Sequence, residues 1–197
     1  MKIHVTKSYL DMARAVIQTK VYGDDQKELG EDAMYSLMSC TNVYSFMALT
    51  AFVSSHLHKL WDEPNSKFKE EFSQYDSFEK LMETEFRELK KSLNELAKQS
   101  NIKPLHQAKP EAWRKLNELL KGYRDFFIHP HPEKFSEQLD ATGNLPWNFA
   151  SNLAEEIIEY FFVATGSKVP PWLSTPGLKS KGFEVVSIQE TTQEGEV

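Results

Sequence analysis

From Ala33 to Ser55 the chain carries no charged residue across 23 consecutive positions, and this run limits what the rest of the molecule can be. It is long enough to match the thickness of a bilayer. Eight of its residues are Ser, Thr or Asn (Ser36, Ser39, Thr41, Asn42, Ser45, Thr50, Ser54 and Ser55). That polar load is costly in lipid, so a membrane protein is the disfavoured class. The run instead predicts a long central helix, Glu31 to Trp61, that neighbouring helices must cover. Ser39, Asn42 and Ser45 then form a polar line along it, either as buried hydrogen-bonding partners or as one wall of a cleft. Cys40 reads as a small core residue.

Helical periodicity recurs on both sides of the run. Lys7 to Val21 carries Tyr9, Leu10, Met12, Ala13, Val16 and Ile17 in a stripe, broken by Gly23, Asp24 and Asp25. Pro64 and Asn65 end the central helix, and Ser66 to Gln74 is a short helix or a loop. Ser77 to Ser100 has Phe78, Leu81, Met82, Phe86, Leu89, Leu93 and Leu96 on one side, which predicts one amphipathic helix. Asn101 to Lys109 is a connector containing Pro104. Pro110 suits the first position of the next helix, which Trp113, Leu116, Leu119, Leu120, Tyr123 and Phe127 extend to about Ile128. A last helix runs from Trp147 to Ala164, with Gly166 as its C-terminal cap.

These segments predict an all-α bundle of four to five main helices over 1–166. An irregular Pro/Gly-rich, acidic tail over 167–197 follows, with a short strand at 183–188. Only 8 of 197 residues are glycine, and neither a G-x-G-x-x-G nor a P-loop sequence occurs, so the usual phosphate-cradling loops are excluded. A single cysteine excludes an internal disulfide framework and a cysteine zinc site. The first 16 residues contain Lys2, Lys7, Asp11 and Arg14 without an apolar run, unlike a signal peptide, so a cytoplasmic location is expected.

The stretch that promises chemistry is Tyr123-Arg124-Asp125-Phe126-Phe127-Ile128-His129-Pro130-His131-Pro132. Arg124 and Asp125 sit in an aromatic run, where partly desolvated charges need partners. Arg124 and His129 are five apart, about 140° around an ideal helix, so they meet only if the helix ends before His129. Pro130 favours that break. Asp125 is four residues from His129 and suits fixing its tautomer, leaving the other ring nitrogen for acid–base work. Arg124 suits forked recognition of a phosphate. The plainer alternative pairs Arg124 with a carboxylate and uses His129 as a helix cap. His129-Pro130-His131 has only Asp125 or Glu133 nearby as further metal ligands, so no metal is expected, and no cofactor is implied.

Arg124-Asp125-x-x-x-His129, late in an all-α bundle, resembles the Arg-x4-6-His signature of HEPN domains. The resemblance covers roughly residues 6–166. It implies a homodimer with its motifs facing across a cleft, and a metal-independent endoribonuclease of a toxin–antitoxin or defence system. Arg124 and His129 would be catalytic, with Asp125 as their polar support. RNA would be the substrate, and a cognate antitoxin or other protein a further partner. Members without activity serve as interaction modules, so a non-catalytic helical or nucleotide-binding module is the alternative. The net charge of −6 departs from the simplest RNA-binding picture. Locally, Lys103 to Lys134 holds seven basic residues against four acidic ones, and Arg114, Lys121 and Arg124 are candidates to flank one groove.

Overall fold

The computed structural model describes residues 5–19, 31–119 and 149–174, with side chains over 5–16, 39–119 and 149–173. Every regular element among these residues is a helix: α1 (Val5–Thr19), α2 (Glu31–Asp62), α3 (Lys67–Glu71), α4 (Phe78–Thr84), α5 (Leu89–Gln99), α6 (Leu105–Ala108), α7 (Pro110–Glu118), α8 (Phe149–Ala164) and α9 (Pro171–Ser174). The protein is all-α, as its periodicity predicts. The strand expected at 183–188 and the break at Gly23 lie outside the described residues.

The charge-free run forms most of α2, whose 32 residues span about 48 Å at 1.5 Å per residue. Its neighbours are α1, α3, α4, α5 and α8, so α2 is the central helix. The buried side follows the helical period through Thr41, Ser45, Ala48, Leu49, Phe52 and Val53. Ser45 donates from its hydroxyl to the Thr41 carbonyl at 2.7 Å, so a polar side chain is buried without an orphaned donor. This explains why the run tolerates its serines and threonines. No helix among the described residues is long and apolar enough to cross a membrane. Cys40 departs from expectation, because it is exposed. Its place in the helical period is off the buried line that starts at Thr41.

Caps define the shorter elements. Ser66 accepts from the Lys69 amide at 3.1 Å and opens α3. Ser77 accepts from the Lys80 amide at 3.3 Å and opens α4, although the sequence lacks the reciprocal glutamate of a capping box. The single helix expected over Ser77–Ser100 is a correction. It is interrupted between Thr84 and Leu89, where Glu88 is extended. Phe86 is pulled into an aromatic cluster with Phe68 and Phe72, ring centres 6.2 and 5.4 Å away. The break frees the Phe86 carbonyl, which accepts from the buried Ser92 hydroxyl at 2.8 Å. Tertiary packing therefore overrides a stripe that a single helix would also satisfy.

Helices α5 and α8 end alike. After α5, Asn101 is left-handed (φ 53°), with the Ile102 amide on the Ala97 carbonyl at 3.0 Å. After α8, Gly166 is left-handed (φ 68°), with the Ser167 amide on the Phe162 carbonyl at 2.8 Å and the Gly166 amide on Val163 at 3.0 Å. These are Schellman caps, as Gly166 predicts. Beyond Gly166 the chain returns to the bundle through α9, whose Leu173 is buried in the common core.

Candidate functional site

Arg124, Asp125, His129 and His131 all lie outside the described residues, as does Lys121. The structure describes the frame on either side of them. Helix α7 starts on Pro110 with Glu111 in its first turn, buries Ala112 and Leu116, and keeps right-handed helical backbone at Leu119. Helix α8 begins at Phe149 and buries Leu153, Ala154, Ile157, Ile158 and Phe161. The two helices pack on each other, and Lys109 reaches Glu156 at 3.8 Å. In sequence the motif falls between these two helices, at residues outside the described ones.

Of the three basic candidates to flank a groove, Arg114 falls among the described residues. Its guanidinium is instead gripped on the helix surface. Nε and Nη2 donate to the two Glu111 oxygens at 3.0 and 2.6 Å, and Nη1 donates to Glu118. The hydrogen bonds from Arg114 hold the Glu111 carboxyl below the usual carboxylate range. The same bonds push the guanidinium pKa upward. A phosphate at Arg114 must displace two carboxylates, so this residue is a poor anion site.

Among the described residues the buried cation is Arg14 on α1, 6% exposed. Nε donates to Glu155 Oε1 of α8 at 2.8 Å, and Nη2 lies 2.8 Å from the same oxygen. Nη2 also donates to the Leu173 carbonyl at 2.8 Å, and Nη1 to the Trp172 carbonyl at 3.2 Å and to Asp11 at 3.4 Å. One planar fork therefore joins α1, α8 and α9, a geometry lysine cannot reproduce. Sequence reading missed this role. The available signal was an arginine at i+4 from Leu10 and next to Ala13, on the buried stripe of α1. The satisfied fork marks a structural tie, since its donors point at internal acceptors.

The central helix places two histidines on different faces, as their i,i+2 spacing predicts. His56 is half-buried, its ring 4.3 Å from Phe52 and 6.0 Å from Phe162. Its Nδ1 is 2.8 Å from the Phe52 carbonyl, and a carbonyl only accepts, so this nitrogen carries the proton. His58 is exposed, stacked on Phe78 at 4.5 Å, with Nε2 3.5 Å from Asp62. Among the described residues no three His, Cys, Asp or Glu side chains converge on a metal-sized site. On the polar line of α2, Ser45 is buried, whereas Ser39 and Asn42 are half-buried. No protein-family model, curated protein or solved structure matches this chain.

Proposed function

We propose that this chain is a HEPN-like, metal-independent endoribonuclease of the cytoplasm, acting as a homodimer through Arg124 and His129. The observation that carries the reading is the sequence Arg124-Asp125-x-x-x-His129, late in an all-α chain. In the chemistry proposed, the imidazole of one copy takes the proton of a ribose 2′-hydroxyl. The 2′-oxygen attacks phosphorus, and the bond to the 5′-oxygen breaks. Arg124 stabilises the extra negative charge on the phosphorane. The imidazolium of the second copy protonates the leaving 5′-oxygen. The products are a 2′,3′-cyclic phosphate and a 5′-hydroxyl, with no metal in the balance. Asp125 orients its neighbours and transfers no proton to RNA. A cognate antitoxin is the protein partner this role implies.

The test is cleavage of a labelled single-stranded RNA in EDTA. Wild type cuts, while His129→Ala and Arg124→Ala each lose about 100-fold or more in rate, the scale of one general acid–base or oxyanion group. Variants that cut like wild type overturn the catalytic assignment. A folded wild type that is inert overturns the nuclease and leaves the interaction module.

A further inference from the structure

We infer that α1 and α8 form a receptor groove for a short Pro-Pro-Trp-Leu turn of another protein, and that this chain's own α9 occupies it as a displaceable ligand. Helices α1 and α8 pack on each other, and α9 lies against both. Helix α9 is four residues long, too short to hold a helix alone, so the surface under it sets its shape. It makes the two kinds of contact by which a groove holds a peptide. Side chains act as pegs: Leu173 is 3% exposed in the common core, and the half-buried Val169 and Trp172 pack against that core. The main chain is read separately, because Arg14 donates to the Trp172 carbonyl at 3.2 Å and to the Leu173 carbonyl at 2.8 Å. Carbonyls at a helix C-terminus have no acceptor role within the helix, so they are open to such a donor.

Receptor and ligand are both preorganised. On the receptor, Glu155 of α8 and Asp11 of α1 aim the Arg14 fork. Helix α9 takes no part in those bonds, so the fork keeps its direction when α9 leaves. On the ligand, Pro170 and Pro171 fix two φ angles before docking, and the Leu173 amide closes the turn on the Pro170 carbonyl at 2.9 Å. The tether permits departure. Every residue from Val163 to Lys168 is exposed, and the bonds that cap α8 at Gly166 and Ser167 are made without α9. A foreign segment with the same pegs and free carbonyls makes the same contacts. The tether holds α9 beside the groove at an effective concentration of about a millimolar, so α9 acts as a competitor that such a segment must outbid. A second copy is the weaker source, because each copy already carries α9 on its own groove at that higher concentration. The groove is separate from the Arg124–His129 motif, and its test reads peptide binding, not RNA cleavage.

The test uses the full chain and a fluorescein-labelled peptide of residues 168–175. Leu173→Asp in the chain puts a charge on the buried peg and vacates the groove, leaving α1 and α8 unaltered. This chain should raise the peptide's fluorescence anisotropy with half-saturation below about 1 mM, the level at which a short tether supplies α9. Wild type should bind the peptide about 10-fold or more weakly, because α9 competes. A peptide that itself carries Leu173→Asp should not bind. The chain Arg14→Lys/Leu173→Asp should lose about 10-fold against Leu173→Asp, since an ammonium cannot reproduce the fork. A folded Leu173→Asp chain that leaves the peptide free overturns the inference, as does binding by wild type equal to that of the variant. Unlabelled wild-type chain that displaces the labelled peptide as well as unlabelled peptide does assigns the groove to a second copy and overturns the separate partner. Should Leu173→Asp fail to fold, native-state hydrogen exchange of wild type decides. The Leu173 amide should then exchange about 10-fold or more faster, relative to its intrinsic rate, than the amides of Ile157 and Ile158 in α8. Equal protection means that α9 leaves only when the bundle unfolds, and overturns the displaceable ligand.

Discussion

Arg14 makes its contribution through where its fork points. The guanidinium is out of water, and its partners are two carboxylates that keep some solvent access, Glu155 and Asp11, and two backbone carbonyls of α9. Removing it takes a charged donor away from the Leu173 and Trp172 carbonyls, the first of them in a buried bond. Arg14→Ala should therefore lower unfolding stability by about 3 kcal/mol, as loss of one partner from a buried ion pair does. Glu155→Gln keeps an acceptor oxygen and should lower it by about 1 kcal/mol. Urea denaturation of both variants checks the ranking; an Arg14→Ala protein as stable as Glu155→Gln contradicts the buried-fork account. A second residue-scale prediction concerns Tyr75, whose hydroxyl donates to Glu85 at 2.6 Å. Hydrogen bonds from Lys91 and Tyr75 lower the Glu85 pKa, and the bond to Glu85 raises that of Tyr75. The Glu85 contribution is present above its ordinary 4.5 and fades as pH falls through the lowered value. The Tyr75 contribution is present below its ordinary 10.0 and fades as pH rises through the raised value. The melting-temperature gap between wild type and Tyr75→Phe should be widest between these limits and close at both ends, which a pH series of melting curves reads directly.

Element ends were legible in the sequence where one residue type has a local reason to be there. Gly166 is the clearest case: a positive φ after α8, with open space around the place a Cβ would occupy. Gly166→Ala should thus cost only the left-handed backbone preference, about 1 kcal/mol. A much larger loss by calorimetry would mean a packing clash that the open surroundings exclude. Pro110 at the head of α7 and the stop after Asp62 were equally readable. The break between α4 and α5 was not. Phe78, Leu81, Phe86, Leu89 and Leu93 obey one helical period, and nothing local announces that Phe86 will join Phe68 and Phe72 instead. Ser92 makes that break affordable by covering the Phe86 carbonyl, and Ser92→Ala should cost about 1–2 kcal/mol by exposing a buried acceptor without a donor. Equality with wild type in chemical denaturation would remove Ser92 from the account.

For the whole molecule, the absence of charge in one segment was the most informative property of the sequence. It fixes α2 as the hub, and five neighbouring helices follow among the described residues. Which face of α2 would be buried was harder to foresee. With charges absent all round, Cys40 and Thr41 look alike in pattern, and only packing distinguishes the exposed thiol from the buried hydroxyl. Arg124 and His129 stood out because charged and titratable groups in an aromatic run are chemically unusual. Arg14 did not, because a lone arginine in an N-terminal helix looks like ordinary surface until its partners, 141 to 159 residues away, are in place. The hub makes a general prediction: Leu49→Ala, fully buried on α2, should lose about 2–5 kcal/mol in chemical denaturation.

Those sequence separations matter to how the protein is born. A ribosome makes α1 early, yet the acceptors for its arginine are not synthesised until residue 173. At a translation rate of about 5–20 residues per second, the nascent bundle spends several seconds or more with that cation lacking its acceptors on α8 and α9. Final closure of the native state must therefore wait for the late chain, and a ribosome stalled after α8 should hold an N-terminal helix that proteases can still reach.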